Sequence, residues 1–173
     1  LCTLGVGGVA EYFAAPDSFE ELEEILKSAK NYEYEIYILG GGSNLIFPDG
    51  LIHGLVISTQ NLNSISWKNN FTADIQAGFK LSHLMKISRE KNLGGLEFAA
   101  GIPGTLGGAI FGNSGAVGRS ICEFLESVKA IDSHGNLKTY TKKDFSFKYR
   151  ECSLSKENII IIEAEIKFNE SLH

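Results

Sequence analysis

Residues 101–118, GIPGTLGGAIFGNSGAVG, set seven glycines among Ile102, Leu106, Ile110 and Phe111. A flexible linker is polar as well as glycine-rich, so this is not one. A segment that is bare and apolar together belongs against an interior, where missing side chains let the backbone come close to something else. That something is either a neighbouring element or a flat or anionic ligand. A second stretch, LGGGSNLIFPDG at 39–50, poses the same choice.

Around these two runs the chain reads as a mixture of strands and helices. AEYFAAP at 10–16 alternates like a strand closed by Pro16. Ser18 and Glu21 form an S-x-x-E capping box, and Phe19, Leu22, Ile25, Leu26 and Ala29 follow at helical spacing. EIYIL at 35–39 is a strand running into Gly40, and short strands are expected at 45–47 and 54–58 around the turn Pro48-Asp49-Gly50. Past residue 60 a hairpin turning at Lys68-Asn69-Asn70 precedes a helix with Leu81, Leu84 and Ile87 on its apolar face, ended by Asn92 and Gly94. Strands near 126–132, 137–141 and 159–168 complete the chain. Without a regular β-α alternation, the class is α+β.

Composition excludes several functions. A net charge of −5 and pI near 5.4 leave no basic stripe for nucleic acid. No apolar run nears the roughly 20 residues of a bilayer span, so no membrane partner is expected. Cys2, Cys122 and Cys152 form no CxxC pair and support neither a disulfide framework nor zinc, which suits a reducing, cytoplasmic setting. No signal peptide is evident. His53, His83, His134 and His173 are scattered singles without a metal pattern.

In LGGGSN, glycines after a strand let backbone N–H groups point outward as an anion nest, and Ser43 and Asn44 add polar side chains. The loop has neither a Walker lysine nor Rossmann spacing, so a tight turn between strands explains it equally well. In 101–118, Pro103 stiffens the entry, Gly104, Gly107 and Gly108 permit close approach, and Thr105 offers a hydroxyl. Close packing of helix on strand remains the alternative. Two such loops, one per lobe, suit a dinucleotide held at its pyrophosphate between lobes.

The pieces TLGVGG (3–8), LGGGSNLIFPDG (39–50), GLEFAAGIPGTLGGAIFGNSGAVG (95–118) and FKYRECS (147–153), in that order, resemble the FAD-binding region of the UDP-N-acetylenolpyruvoylglucosamine reductase family, the UDP-N-acetylmuramate dehydrogenases. The resemblance implies the two-subdomain FAD-binding fold of the vanillyl-alcohol-oxidase type, with subdomains at 1–59 and 60–173. It implies non-covalent FAD, NADPH as hydride donor and a UDP-sugar substrate. Gly40, Gly41, Gly42, Ser43 and Asn44, flanked by Leu39 and Leu45, would wrap the pyrophosphate. Gly101, Ile102, Pro103, Gly104 and Thr105, with Gly107 and Gly108, would line the other side of the cofactor. Asn113, Gly115 and Ala116 would lie nearer the isoalloxazine ring. Arg150 matches the family's active-site arginine, which would stabilise negative charge developing on the substrate carboxylate.

Two departures accompany the likeness. The family carries a proton-donating serine and a catalytic glutamate in a C-terminal substrate domain, which is expected to be absent here, so that role passes to no residue. Val117 stands where the family often has tyrosine.

Overall fold

The computed structural model describes Thr3 and residues 5–171. Strand β1 (Val9–Ala14) leads into helix α1 (Phe19–Asn31), which returns to β2 (Ile36–Leu39) and then β3 (Leu51–Ser58). All three strands are parallel, in the order β1-β3-β2. Helix α1 starts where the capping pattern places it, with Glu21 N–H donating to Ser18 Oγ at 3.1 Å. The reciprocal bond differs from the capping box, because Glu21 Oε2 accepts from Asp17 N–H at 2.7 Å, one residue further back. Glu33, at φ +56, turns the chain out, and Tyr34 N–H closes the end on Ala29 O at 3.0 Å.

The expected strand at 45–47 does not form. Its available neighbour, the segment at 8–9, spends its N–H groups on Pro48 O and Gly50 O, at 2.8 Å each. Residues 45–47 therefore pass outside the ladder, and the stretch from 40 to 50 is one irregular loop.

The second sheet opens with the hairpin β4 (Ile65–Asn69) and β5 (Thr72–Gln76), whose turn falls at Asn70 and Phe71 because Asn69 Oδ1 accepts from Phe71 N–H at 2.9 Å. Helix α2 (Leu81–Glu90), the short β6 (Leu93–Gly94) and helix α3 (Leu106–Phe111) follow. Two-residue strands β7 (Gly115–Ala116) and β8 (Arg119–Ser120) make a small hairpin. The long β9 (Leu125–Asp132) and β10 (Leu137–Thr141) return to the main sheet. A second small hairpin, β11 (Phe147–Lys148) with β12 (Glu151–Cys152), precedes β13 (Ile159–Lys167), and β14 (Asn169–Glu170) pairs with β6. The five-stranded sheet is antiparallel throughout, in the order β10-β9-β13-β5-β4.

One core lies between this sheet and α2 and α3, with Ile75, Leu84, Leu106, Ile110 and Ile166 buried in it. A second lies under α1, where Leu22 and Leu26 meet Leu55 and Ile57 of the parallel sheet and also Ile131, Ile160 and Ile162 of the antiparallel one. Helix α1 thus packs on inner strands of both sheets and ties the two together. That fixes where the loops leaving each sheet can meet. Among the described residues, no helix is long and apolar enough to cross a membrane.

Candidate functional site

Strand β2 ends at Leu39, which is fully buried, and the chain turns off the sheet through Gly42 at φ +67. Segment 101–105 reaches the same place from the other sheet. Lys80 and Thr105 form an antiparallel bridge, with Leu81 N–H donating to Gly104 O at 3.1 Å and Leu106 N–H to Phe79 O at 2.9 Å. The two loops touch. A Cβ on Gly40 would lie 2.7 Å from Thr105 Oγ1, and one on Gly41 would lie 2.7 Å from Gly104 Cα. Gly40 is bare because the Thr105 side chain fills the space, and Gly41 because the backbone of the other loop does.

The carbonyls of the first loop are tied from behind. Gly40 O accepts from Gln60 Nε2 at 3.1 Å, Gly42 O from Thr3 N–H at 2.9 Å, and Gly41 O more weakly from Thr3 Oγ1 at 3.4 Å. In a planar trans peptide the C=O and the following N–H point oppositely. Anchoring those carbonyls therefore turns the N–H groups of Gly41, Gly42 and Ser43 the other way. Among the described residues, none of these amides donates a hydrogen bond within the chain. Successive outward amides form an anion nest. Beside it, Thr105 Oγ1 is buried with no hydrogen-bond partner, and although Thr105 is the N-cap of α3 its side chain caps nothing. Leaving a buried hydroxyl unpaired costs about 1–3 kcal/mol, so this atom is arranged for an acceptor or donor from outside the chain.

The other glycines divide. Gly107 packs α3 on the sheet, since its N–H donates to Ala77 O at 2.8 Å and a Cβ would meet Ala77 Cβ at 2.7 Å. Gly108 is exposed, and a Cβ there would meet only Thr105 Oγ1, at 3.7 Å. Gly101 and Pro103 lie exposed at the mouth, Ile102 packs on the main core, and Ser43, Asn44 and Leu45 line the opposite lip, exposed. Ser43 Oγ also accepts from Thr3 Oγ1 at 3.3 Å.

Beyond α3 the hairpins β7–β8 and β11–β12 face each other across a cleft of about 480 Å³ that Gly115, Ala116 and Arg150 help to line. Asn113 ties it together. Its Nδ2 donates to Lys148 O at 2.8 Å, and its Oδ1 accepts from Cys122 N–H at 3.2 Å. Both ends of the amide engage the chain, so Asn113 positions the hairpins, with one N–H and one lone pair of the amide still uncommitted. The turn Val117–Gly118 has φ of +53 and +77, the type I′ geometry, which a β-branched residue adopts only under strain. Asn113 (φ +41), a residue type that tolerates this region, and Arg150 (φ +57) share it, so three of the five positive-φ non-glycine residues among those described line this cleft. Strain of this kind gathers at functional sites.

Arg150 is exposed, with its guanidinium 5.8 Å from the Tyr149 ring centroid. The carboxylates near it are engaged elsewhere. Glu151 pairs with Lys156 at 2.6 Å and Lys148 at 3.0 Å, which holds its carboxyl below the usual range, and Glu123 pairs with Arg119 at 2.7 Å. Among the described residues Arg150 has no ion-pair partner. Nor do the described residues group His, Cys, Asp and Glu into a metal site. Gln60 and Lys80 carried no sequence signal, because only the tertiary fold brings them to the glycine loops.

The sequence matches the family described as FAD binding domain over residues 10–141, and the chain belongs to that family. The α+β architecture is the one shared by the vanillyl-alcohol-oxidase-type flavoproteins. An alkyldihydroxyacetonephosphate synthase of 22% identity shares it at a TM-score of 0.71, covering 91% of this chain and 31% of that one. Within the family the chain resembles the FAD-binding region of UDP-N-acetylenolpyruvoylglucosamine reductases. It is 37% identical over 168 residues to UDP-N-acetylenolpyruvoylglucosamine reductase 2 of Bacillus cereus (strain ZK / E33L), covering 97% of this chain and 55% of the relative. It is 42% identical over 159 residues to the reductase of Lactobacillus helveticus (strain DPC 4571), covering 91% and 53%. The crystal structure of the Thermus caldophilus reductase superposes with a TM-score of 0.81 at 29% identity, over 99% of this chain and 60% of that one. The chain thus spans about half the length of the curated relatives it matches. The outward amides and the unpaired Thr105 hydroxyl fit the diphosphate of FAD.

Proposed function

We infer that this chain is the FAD-binding part of a cytoplasmic, NADPH-dependent reductase converting UDP-N-acetylenolpyruvoylglucosamine to UDP-N-acetylmuramate for peptidoglycan. The observation that carries the reading is the contact of the two glycine loops around a buried, unpartnered Thr105 hydroxyl. The N–H groups of Gly41, Gly42 and Ser43 hold the diphosphate from one side, and Thr105 bonds it from the other. Exposed Gly101, Pro103 and Gly108 leave room for the rest of the cofactor along the same wall. FAD held there would supply the hydride-transfer chemistry that links NADPH to the enolpyruvyl double bond. Arg150, unpaired at a strained turn, sets a fixed cation beside the substrate carboxylate, where charge grows as the hydride arrives. Residues 1–59 and 60–173 act as two subdomains closing on the cofactor, and the region the relatives carry beyond the match supplies the proton donor.

Purified protein, reconstituted with FAD if necessary, should show flavin absorbance near one-to-one. Joined to the remaining region of a relative and reduced by NADPH, it should be reoxidised anaerobically by the enolpyruvyl UDP-sugar. Arg150→Ala should keep the flavin and slow that reoxidation by about a hundredfold or more. Reoxidation by oxygen alone would point to an oxidase, and a protein that cannot take up FAD would end the reading.

A further inference from the structure

The two loops that touch at the seam, 39–45 and 101–108, contain no ionisable side chain, and the chain as a whole carries a net charge of −5. A diphosphate brought there adds about two more negative charges, which backbone amides meet only with partial charge. Resting on the FAD reading above, we propose that Lys80 is the side-chain cation of the diphosphate site.

The assignment comes from the bridge between Lys80 and Thr105. Its hydrogen bonds run from Leu81 to Gly104 and from Leu106 to Phe79, which makes Lys80 and Thr105 themselves a non-hydrogen-bonded antiparallel pair. Residues in such a pair stand side by side, and their side chains project from the same face. Thr105 Oγ1 on that face is directed at Gly40 and is buried without a partner. Lys80 therefore leaves the backbone toward the first glycine loop, beside the one hydroxyl there that awaits a ligand. Lys80 is exposed and makes no ion pair among the described residues. Its stem can cover the seam while the ammonium sits at the mouth. It also occupies the N-cap position of α2 without capping it by side chain, since lysine has no acceptor to give, so helix formation does not explain the residue.

The test uses flavin-free protein titrated with FAD and, separately, with riboflavin, which lacks phosphate. Lys80→Met, which keeps the stem and removes the charge, should weaken FAD roughly tenfold and leave riboflavin unchanged. Lys80→Arg should retain most of the FAD affinity. Raising salt should weaken FAD binding more steeply in the wild type than in Lys80→Met. Equal FAD affinity in wild type and Lys80→Met, or an equal loss for FAD and riboflavin, overturns the assignment and leaves the FAD reading standing. Failure of the wild type to bind FAD overturns both.

Discussion

Thr105 makes the sharpest test of the seam, because one substitution should move stability and binding in opposite directions. Valine has the shape of threonine with a methyl for the hydroxyl. In the flavin-free protein Thr105 Oγ1 has no partner, and the side chain makes no capping bond that valine would lose. Removing a buried, unsatisfied hydroxyl recovers about 1–2 kcal/mol. For a chain of this size that raises Tm by roughly 2–4 °C per kcal/mol. On the FAD reading proposed above, the same hydroxyl would donate to a charged phosphate oxygen, an interaction of about 1.5–3 kcal/mol. Its loss should weaken FAD roughly 10- to 100-fold. Differential scanning fluorimetry of flavin-free protein and titration of flavin fluorescence measure the two effects on one preparation. Thr105→Ser is the control, losing a methyl but keeping FAD affinity close to wild type. If Thr105→Val melts at or below the wild type and binds FAD equally well, the hydroxyl is not a ligand group.

Other expectations follow from the same geometry. Gln60→Leu removes the donor 3.1 Å from Gly40 O, which should lower stability by about 1 kcal/mol and, by freeing the Gly40–Gly41 peptide to rotate, weaken FAD about five- to tenfold. Unchanged FAD affinity there would mean the amides are set without it. Val117→Asn puts a residue suited to positive φ at the strained type I′ position and should stabilise by about 1 kcal/mol in a denaturant melt, whereas a destabilised variant would contradict the strain. On the acid side, Asp132 is held below the ordinary carboxylate range by Asn136 and His134, Asp144 by Thr141, Glu151 by Lys156 and Lys148, and Glu11 by the Gly54 N–H and His53. Carboxyls depressed in the folded state stabilise above their unfolded values of about 4 and lose that contribution as pH falls through the folded ones. Tm should hold above about pH 5 and fall progressively below about pH 4, and a Tm rising on acidification through that window would contradict the assignment.

Helix α1 was legible because its cap and its apolar spacing agree, and Leu22, Leu26 and Ala29 are buried as that spacing requires. Helix α2 was legible in extent and in face, since Leu81 and Leu84 are buried and Ile87 packs half-buried against the main core. What the apolar spacing did not show is that Ser88 is buried beside them, its hydroxyl spent on Leu84 O at 2.9 Å. The strand expected at 45–47 failed for a tertiary reason, since the ladder that could have received it is occupied at 48 and 50. Arg150 was singled out by its local motif. Gln60 and Lys80 were not, since nothing in their neighbours marks them and only the contact between the two loops gives them work.

The glycine run itself shows why a motif underdetermines a site. Within it Gly107 is bare because α3 lies against Ala77, a demand of packing alone. Gly104 faces the other loop at φ +108, a demand of the seam. Gly108 meets nothing closer than the Thr105 hydroxyl at 3.7 Å, and a helical glycine in open space costs about 1 kcal/mol against alanine. That cost has no return inside the chain. A ligand lying along the same surface, next to the same unpaired hydroxyl, would give the bare position a use, which is how the exposed glycine and the buried threonine fit the FAD reading proposed above.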